Sequence, residues 1–183
     1  LCGIEKALYE HKADDLEKAI CLDIMLHAYM LVQSGIPVLY SGDEIGQEND
    51  YSYHEDPKKC EDSRYLHRGK FPWDLAEKRT EKGSVQEKLF AKICRLEQIR
   101  RLHPVFESDA AVWTVDTWDN SVLGIIRAKD DEKLVALFNF SDTERTAWIK
   151  EDDGMYTDLI SAKKLPAIDV KLPGYGVYWL LKN

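Results

Sequence analysis

A chain of 183 residues with 44% hydrophobic and 10% aromatic content carries enough apolar side chain to build a core, which excludes a disordered tail or linker. Its net charge of -8, with lysines and arginines interspersed among acids instead of gathered in a stripe, argues against nucleic acid as a partner. No run is long and apolar enough to span a bilayer, so no membrane partner is expected.

In chain order, the first predicted element is a helix from Asp14. Asp14 and Glu17 fit a capping box, and Leu16, Ile20, Ile24, Ala28 and Leu31 recur on one face. Gly35 and Pro37 stop it. The stretch Gly35-Ile-Pro-Val-Leu-Tyr-Ser-Gly-Asp-Glu-Ile-Gly46 follows. Residues 36–40 are too few for a helix and show no polar alternation, so they predict a strand buried on both faces, as in a parallel sheet. It delivers Asp43 and Glu44 to the loop behind it. No other run in the first hundred residues offers such a strand a neighbour, so the partners are expected outside this chain, which then reads as a fragment. A polar, structureless loop is predicted over 43–83. A second helix opens at Ser84-Val-Gln-Glu87, another capping box, with Val85, Leu89, Ile93 and Leu96 as its stripe. Helix, buried strand, long loop and helix is the order at the end of a (β/α)₈ barrel, whose active sites lie on loops at the carboxyl ends of the strands. A whole barrel takes roughly 250 residues, so only its last unit fits.

At His103-Pro104 the period changes, and the residue before a proline is pushed out of the helical region. Short β-type runs follow at 111–117, 121–128, 133–140, 144–150, 169–172 and 177–181. They are punctuated by Asp119-Asn120, Lys129-Asp130-Asp131, Asp152-Asp153-Gly154 and Pro173-Gly174. The fold class is therefore α+β: the last βα unit of a TIM barrel over 1–103 and an antiparallel β-sandwich over 104–183. Cys2, Cys21, Cys60 and Cys94 match no zinc spacing and read as free thiols in a reducing compartment, which points to the cytoplasm. No secretory leader stands at Leu1, but secretion stays open because the amino terminus is expected to be truncated.

The stretch from Gly35 to Gly46 resembles the eighth barrel strand of the α-amylase superfamily of glycoside hydrolases. Asp62-Ser-Arg-Tyr-Leu-His-Arg68, with Phe71-Pro-Trp-Asp74 after it, resembles the matching loop of the sucrose-acting branch, the amylosucrase-like enzymes, although Gly69-Lys70-Phe71-Pro72-Trp73 departs from their wording. The resemblance implies a retaining mechanism with an aspartate nucleophile, a glutamic acid as acid/base and a second, stabilising aspartate. All three fall on earlier strands, so no catalytic residue is expected in this chain. It implies that Arg64 pairs with an aspartate from another loop and closes the glucosyl pocket, a task suited to a planar guanidinium fork, while Asp62 orients the loop. Asp43 and Glu44 make structural bonds at the pocket floor. As adjacent residues leaving a strand they point apart, whereas a retaining pair needs carboxyl groups roughly 5 to 5.5 Å apart across one bond.

The weaker candidates read mostly as structure. His27, close to the first helix's apolar stripe, is expected as a satisfied, partly buried histidine, and His54 and His67 sit on the loop within reach of sugar. Tyr51, Tyr53, Tyr65, Phe71 and Trp73 suit either sugar stacking or loop packing. Trp113, Trp118, Trp148 and Trp179 are expected in the sandwich core. No metal or cofactor is implied. The partners expected are sucrose or an α-glucan, the remaining barrel, and a second copy of the chain through self-association. The alternative reading is a non-catalytic module that binds carbohydrate or stabilises the barrel, favoured if aromatics stand exposed on a sandwich face. A self-contained enzyme using Asp43 and Glu44 is the third.

Overall fold

The computed structural model describes residues 2–149 and 154–182. Helices α1 (Ile4–Tyr9) and α2 (Ala13–Leu31) open the chain, followed by α3 (Trp73–Glu77) and α4 (Val85–Leu102). Eight strands follow: β1 (Ala111–Val115), β2 (Val122–Lys129), β3 (Glu132–Asn139), β4 (Arg145–Ala147), β5 (Met155–Asp158), β6 (Lys164–Pro166), β7 (Val170–Leu172) and β8 (Val177–Lys182).

The second predicted cap is realised, with the return bond falling on Gly83 instead of on Ser84 itself. Ser84 Oγ accepts the N–H of Glu87 at 2.9 Å, and the Glu87 carboxylate reaches back to the N–H of Gly83 at 3.4 Å. The first is not. Helix α2 starts one residue before Asp14, with Lys12 at the cap and no side-chain cap bond. The reason is the short link from α1: the N–H of Lys12 bonds to the carbonyl of Ala7, so the chain is already turning when it reaches Asp14. Asp14 and Asp15 lie instead in the first turn, where negative charge complements the helix dipole.

Six strands form one antiparallel sheet in the order β1-β2-β3-β8-β5-β6, and β4 pairs with β7 in a second. Strand alternation decides what each face covers. On β3, Leu134, Ala136 and Phe138 point to one side with Trp179 of β8, and pack with Met25, Ala28 and Leu31 of α2 and Leu96 and Ile99 of α4. Val135, Leu137 and Leu180 point to the other, against Ala147, Ile149, Val170 and Leu172 around the small sheet. The molecule is thus three layers, with the six-stranded sheet in the middle. This is why β3 reads as an unbroken apolar run: both its faces are buried.

Other expectations also need correction. Residues 43–83 are not structureless but carry α3 and 3₁₀ turns at Asp43–Ile45, Tyr51–Glu55, Ser63–His67 and Lys78–Thr80. Asp50 and Asp62 cap two of these by accepting the N–H of Ser52 and Arg64, each at 3.0 Å, an Asx preference that favours local turns over long helices. Strands β5 and β6 have no counterpart in the sequence reading, because MYTD and KLP are short and half polar. The run 144–150 shrinks to β4; Lys150, like Asp152 and Asp153 of the predicted turn, lies outside the described residues. Of the tryptophans, only Trp179 is core, wholly buried with its ring 4.8 Å from that of Phe106. Trp113, Trp118 and Trp148 are 40%, 63% and 49% exposed. Trp113 lies on the edge strand β1, Trp118 on the following loop, and Trp148 faces outward because its neighbours Ala147 and Ile149 take the inward positions.

The run 36–40 is extended backbone that pairs with no strand among the described residues. It is not buried on both faces. Pro37 and Leu39 turn toward a cleft shared with Leu31, Leu102 and Phe106, while Ile36, Val38 and Tyr40 are 90%, 77% and 57% exposed. Two arginines fix where it departs. Arg100 donates to the carbonyls of Leu31 and Gly35. Arg127, fully buried on β2, donates to Val32 at 2.7 Å, Val105 at 2.6 Å and Glu107 at 2.6 Å.

Candidate functional site

The chain leaves the extended run through a turn that only glycine allows. Gly42 has φ +104 and Gly46 φ +63, and a Cβ on Gly46 would stand 2.8 Å from Leu89 Cδ1. Within the turn Glu44 accepts the N–H of Gly42 at 2.9 Å, and the buried Gln86 of α4 donates to the carbonyl of Ile45 at 3.3 Å. Glu44 is therefore spent on holding the turn. Asp43 faces the other way, into a cavity of about 440 Å³ also lined by Cys2, Asp23, His27, Gln47 and Asn49.

Three elements converge on that cavity: the start of α1, the middle of α2 and the glycine turn. His27 and Asp23 stand one helical turn apart on α2, with His27 Nδ1 3.0 Å from Asp23 Oδ1 and 2.9 Å from its carbonyl oxygen. Burial works to lower the His27 pKa, but the bonds and charge of Asp23 outweigh it and the net shift is upward. Burial raises the Asp43 carboxyl, partly offset by His27. Burial, then the charge of Asp23, pushes the Cys2 thiol up to about 12, so it is a poor nucleophile. His27 is the satisfied, partly buried histidine that its place in the helix predicts. Its partner Asp23 was missed from the sequence, although an acid four residues before a histidine on a helix is a signal that finds it; that Asp43 joins them depends on the turn.

The loop folds back over the cavity's mouth. Asn49 donates to Glu5 at 2.7 Å, its Oδ1 accepts from His67 Nδ1 at 3.0 Å, and the N–H of Asp50 donates to the carbonyl of Leu66 at 2.8 Å. This brings the turn 63–67 beside 49–50. On it Asp62 and Arg64 form a bidentate pair, Nε to Oδ1 at 2.8 Å and Nη2 to Oδ2 at 2.8 Å. The Arg64 side chain is 72% exposed, and Arg64 holds the Asp62 carboxyl down to about 2. Three of the five guanidinium N–H groups remain for another acceptor. The structure does not bring Arg64 to Asp43 or Glu44; Asp62 is its carboxylate partner here. Tyr53 is buried against His54, Tyr65 lies under Lys59, and Trp73 stands 73% exposed with its ring 4.8 Å from Phe71. Among the described residues no cluster of three or more His, Cys, Asp or Glu is placed to hold a metal ion, and all four cysteines are free.

Comparison with known proteins sets this geometry in a fold. The chain is similar to glucosylglycerate phosphorylase of Escherichia coli (strain K12), 28% identical over 176 residues, covering 95% of this chain and 30% of that protein. Among solved structures it is similar to AmyP in complex with maltose, with a TM-score of 0.71, 21% identity, and coverage of 89% of this chain and 35% of that one. The fold is that of α-amylase-type enzymes. The trehalulose synthase MutB, at 17% identity and a TM-score of 0.61, shares it over 87% of this chain and 38% of its own. The chain thus spans about a third of the length of these relatives, and it matches the region that ends in their β-sandwich. No protein-family model matches the sequence.

Proposed function

We propose that the chain is the carboxyl-terminal part of a retaining α-glucosidase or transglucosylase, with residues 1–103 completing a catalytic (β/α)₈ barrel and 104–183 forming its sandwich domain. The parent transfers or hydrolyses an α-linked glucosyl unit from sucrose or an α-glucan, and its catalytic carboxylates lie on parts of the barrel outside this chain. The observation that carries the reading is the likeness to glucosylglycerate phosphorylase along 95% of the chain, joined to the fold shared with AmyP. In this proposal the loop 43–83 supplies part of the glucosyl pocket. Arg64 presents its remaining N–H donors to a carboxylate of the parent, Asp62 holds Arg64 from behind, and Asp43 and Glu44 shape the floor.

Steady-state kinetics on the parent test it, with sucrose, maltotriose and glucosylglycerate as donors, each with and without inorganic phosphate. Turnover of at least one donor with retention of configuration is expected. Arg64→Ala is expected to lower kcat/KM about a hundredfold or more, because misplacing a group that positions substrate is costly even when it does no chemistry. Arg64→Lys does not rescue it, since an ammonium lacks the planar fork. A variant within threefold of wild type removes Arg64 from the pocket. Turnover by the 183-residue chain alone overturns the proposed division of the site.

A further inference from the structure

Arg68 and Lys70 flank Gly69 just past the turn 63–67, on a stretch that is pinned against the segment 47–52. Arg68 closes the turn, its N–H donating to the carbonyl of Tyr65 at 3.1 Å. The carbonyl of Lys70 accepts Gln47 Nε2 at 3.3 Å, and a Cβ on Gly69 would stand 2.9 Å from that of Asp50. An open cleft of about 700 Å³ is lined by both stretches and by Lys59. Its charges do not cancel. Of the two acids on it, Asp50 is spent on the N–H and hydroxyl of Ser52, at 3.0 and 2.5 Å, which leaves Glu48. Of the three cations, Lys59 stands 3.4 Å from Asp56 and over the ring of Tyr65. Arg68 and Lys70 make no ion pair among the described residues, whereas Lys12, Lys18, Lys88 and Lys129 of this acidic chain are spent on carboxylates. The Asp62 carboxyl feels the charge of Arg68, but Arg64 already holds it bidentately.

We propose that this cleft binds a phosphate group, free or carried by a small sugar, with Arg68 and Lys70 as its donors. A guanidinium fork takes two phosphate oxygens at once, and an ammonium takes a third as a point charge. Glu48 and Ser52 on the other stretch suit hydroxyls: a carboxylate repels the phosphate but accepts hydrogen bonds from a polyol. That favours a ligand charged at one end, and the cleft's volume lies within the range of small-molecule sites. None of its described lining residues is aromatic, which disfavours a nucleotide, whose base seeks a ring to stack on. A bound ligand touches both stretches. It therefore fastens the turn that carries Arg64 to the segment that borders the Asp43 cavity. The site rests on charge and geometry alone, not on the function proposed above.

Isothermal titration of the 183-residue chain with inorganic phosphate, glucose 6-phosphate, glucose and AMP tests it. Glucose 6-phosphate is expected to bind at millimolar concentration or below, more weakly as salt rises, and glucose is expected to give no heat. Arg68→Gln and Lys70→Gln each weaken binding about tenfold, the scale of one charge-assisted hydrogen bond, and the double variant abolishes it. Lys163→Gln, at an exposed lysine between β5 and β6, matches wild type. Circular dichroism on each variant reports the fold, and amide exchange should slow at 47–52 and 65–70 when the ligand is bound. Glucose 6-phosphate binding tighter than inorganic phosphate assigns the site to a phosphorylated sugar; equal or weaker binding assigns it to free phosphate. Three outcomes overturn the site: no heat with either of these two, undiminished binding by the folded double variant, or AMP binding tightest of all. A parent active on α-glucosides whose isolated chain ignores both phosphate ligands would remove this site and leave the proposed enzyme intact.

Discussion

His27 shows how one residue ties the cavity to pH. Burial alone would favour the neutral ring, yet Asp23, bonded to it one turn earlier on α2, prevails and the folded-state pKa is raised. A raised folded pKa means the protonated ring is better satisfied in the native state than in the unfolded chain. Its contribution to stability is therefore full below the ordinary histidine value of about 6.5 and disappears as pH rises through the folded value above it. His27→Gln is expected to lower the urea midpoint at acid pH and to match wild type once the ring is neutral. Paired urea melts across that interval check the sign; a difference that grows with rising pH would contradict it. Part of this was legible, since a histidine near an apolar stripe predicts a satisfied, partly buried ring, but its partner Asp23 was passed over. The third member was not legible either. Asp43 reaches the same cavity only because Gly42 and Gly46 turn the chain, and Arg64 finds Asp62 only through an Asx turn two residues long.

At the scale of elements, the structure depends on Arg127. It is buried on β2 without a carboxylate partner among its bonds, and burial lowers its pKa. Three carbonyls neutralise it instead, one just past the end of α2 and two in the turn after α4. Negative carbonyl ends at a helix terminus favour a cation, so this single fork fastens both helices to the sheet. Arg127→Met strands buried carbonyls and is expected to cost about 3 kcal/mol. Arg127→Lys recovers little, because one ammonium cannot span three directions. Urea melts would show a lower midpoint at unchanged m-value; a shift worth under about 0.5 kcal/mol would deny the clamp. Such links are hidden from a sequence reading, which sees an arginine in an otherwise apolar strand and nothing of the carbonyls. The stripes of α2 and α4 and the run of β3 were legible because burial imposes its period on composition. Trp148 was not: an apolar residue in a short β-type run reads as core, and only the pairing of β4 with β7 reveals which side is outside.

At the scale of the whole molecule, the run 36–40 presents an apolar row that calls for a covering surface. Its apolar composition predicts burial, but composition cannot name the neighbour. Within this chain one face rests on the cleft of Leu31, Leu102 and Phe106, and the other leaves Ile36, Val38 and Tyr40 in water, with Leu102 itself 74% exposed. Extended backbone that pairs with no strand among the described residues, beside an apolar row, is a template for another strand. In the proposed parent, barrel strands would occupy it. In the isolated chain a second copy is expected to, through antiparallel pairing of 36–40 with its own duplicate, since a twofold contact lets each copy satisfy the other. Sedimentation velocity should show a dimer that grows with concentration. Ile36→Lys with Val38→Lys places charges in the row and is expected to return the chain to a monomer with an unchanged circular dichroism spectrum, because neither side chain contributes to the buried core. A wild-type chain that sediments as a single monomer at high concentration would mean that the exposed row recruits no second copy.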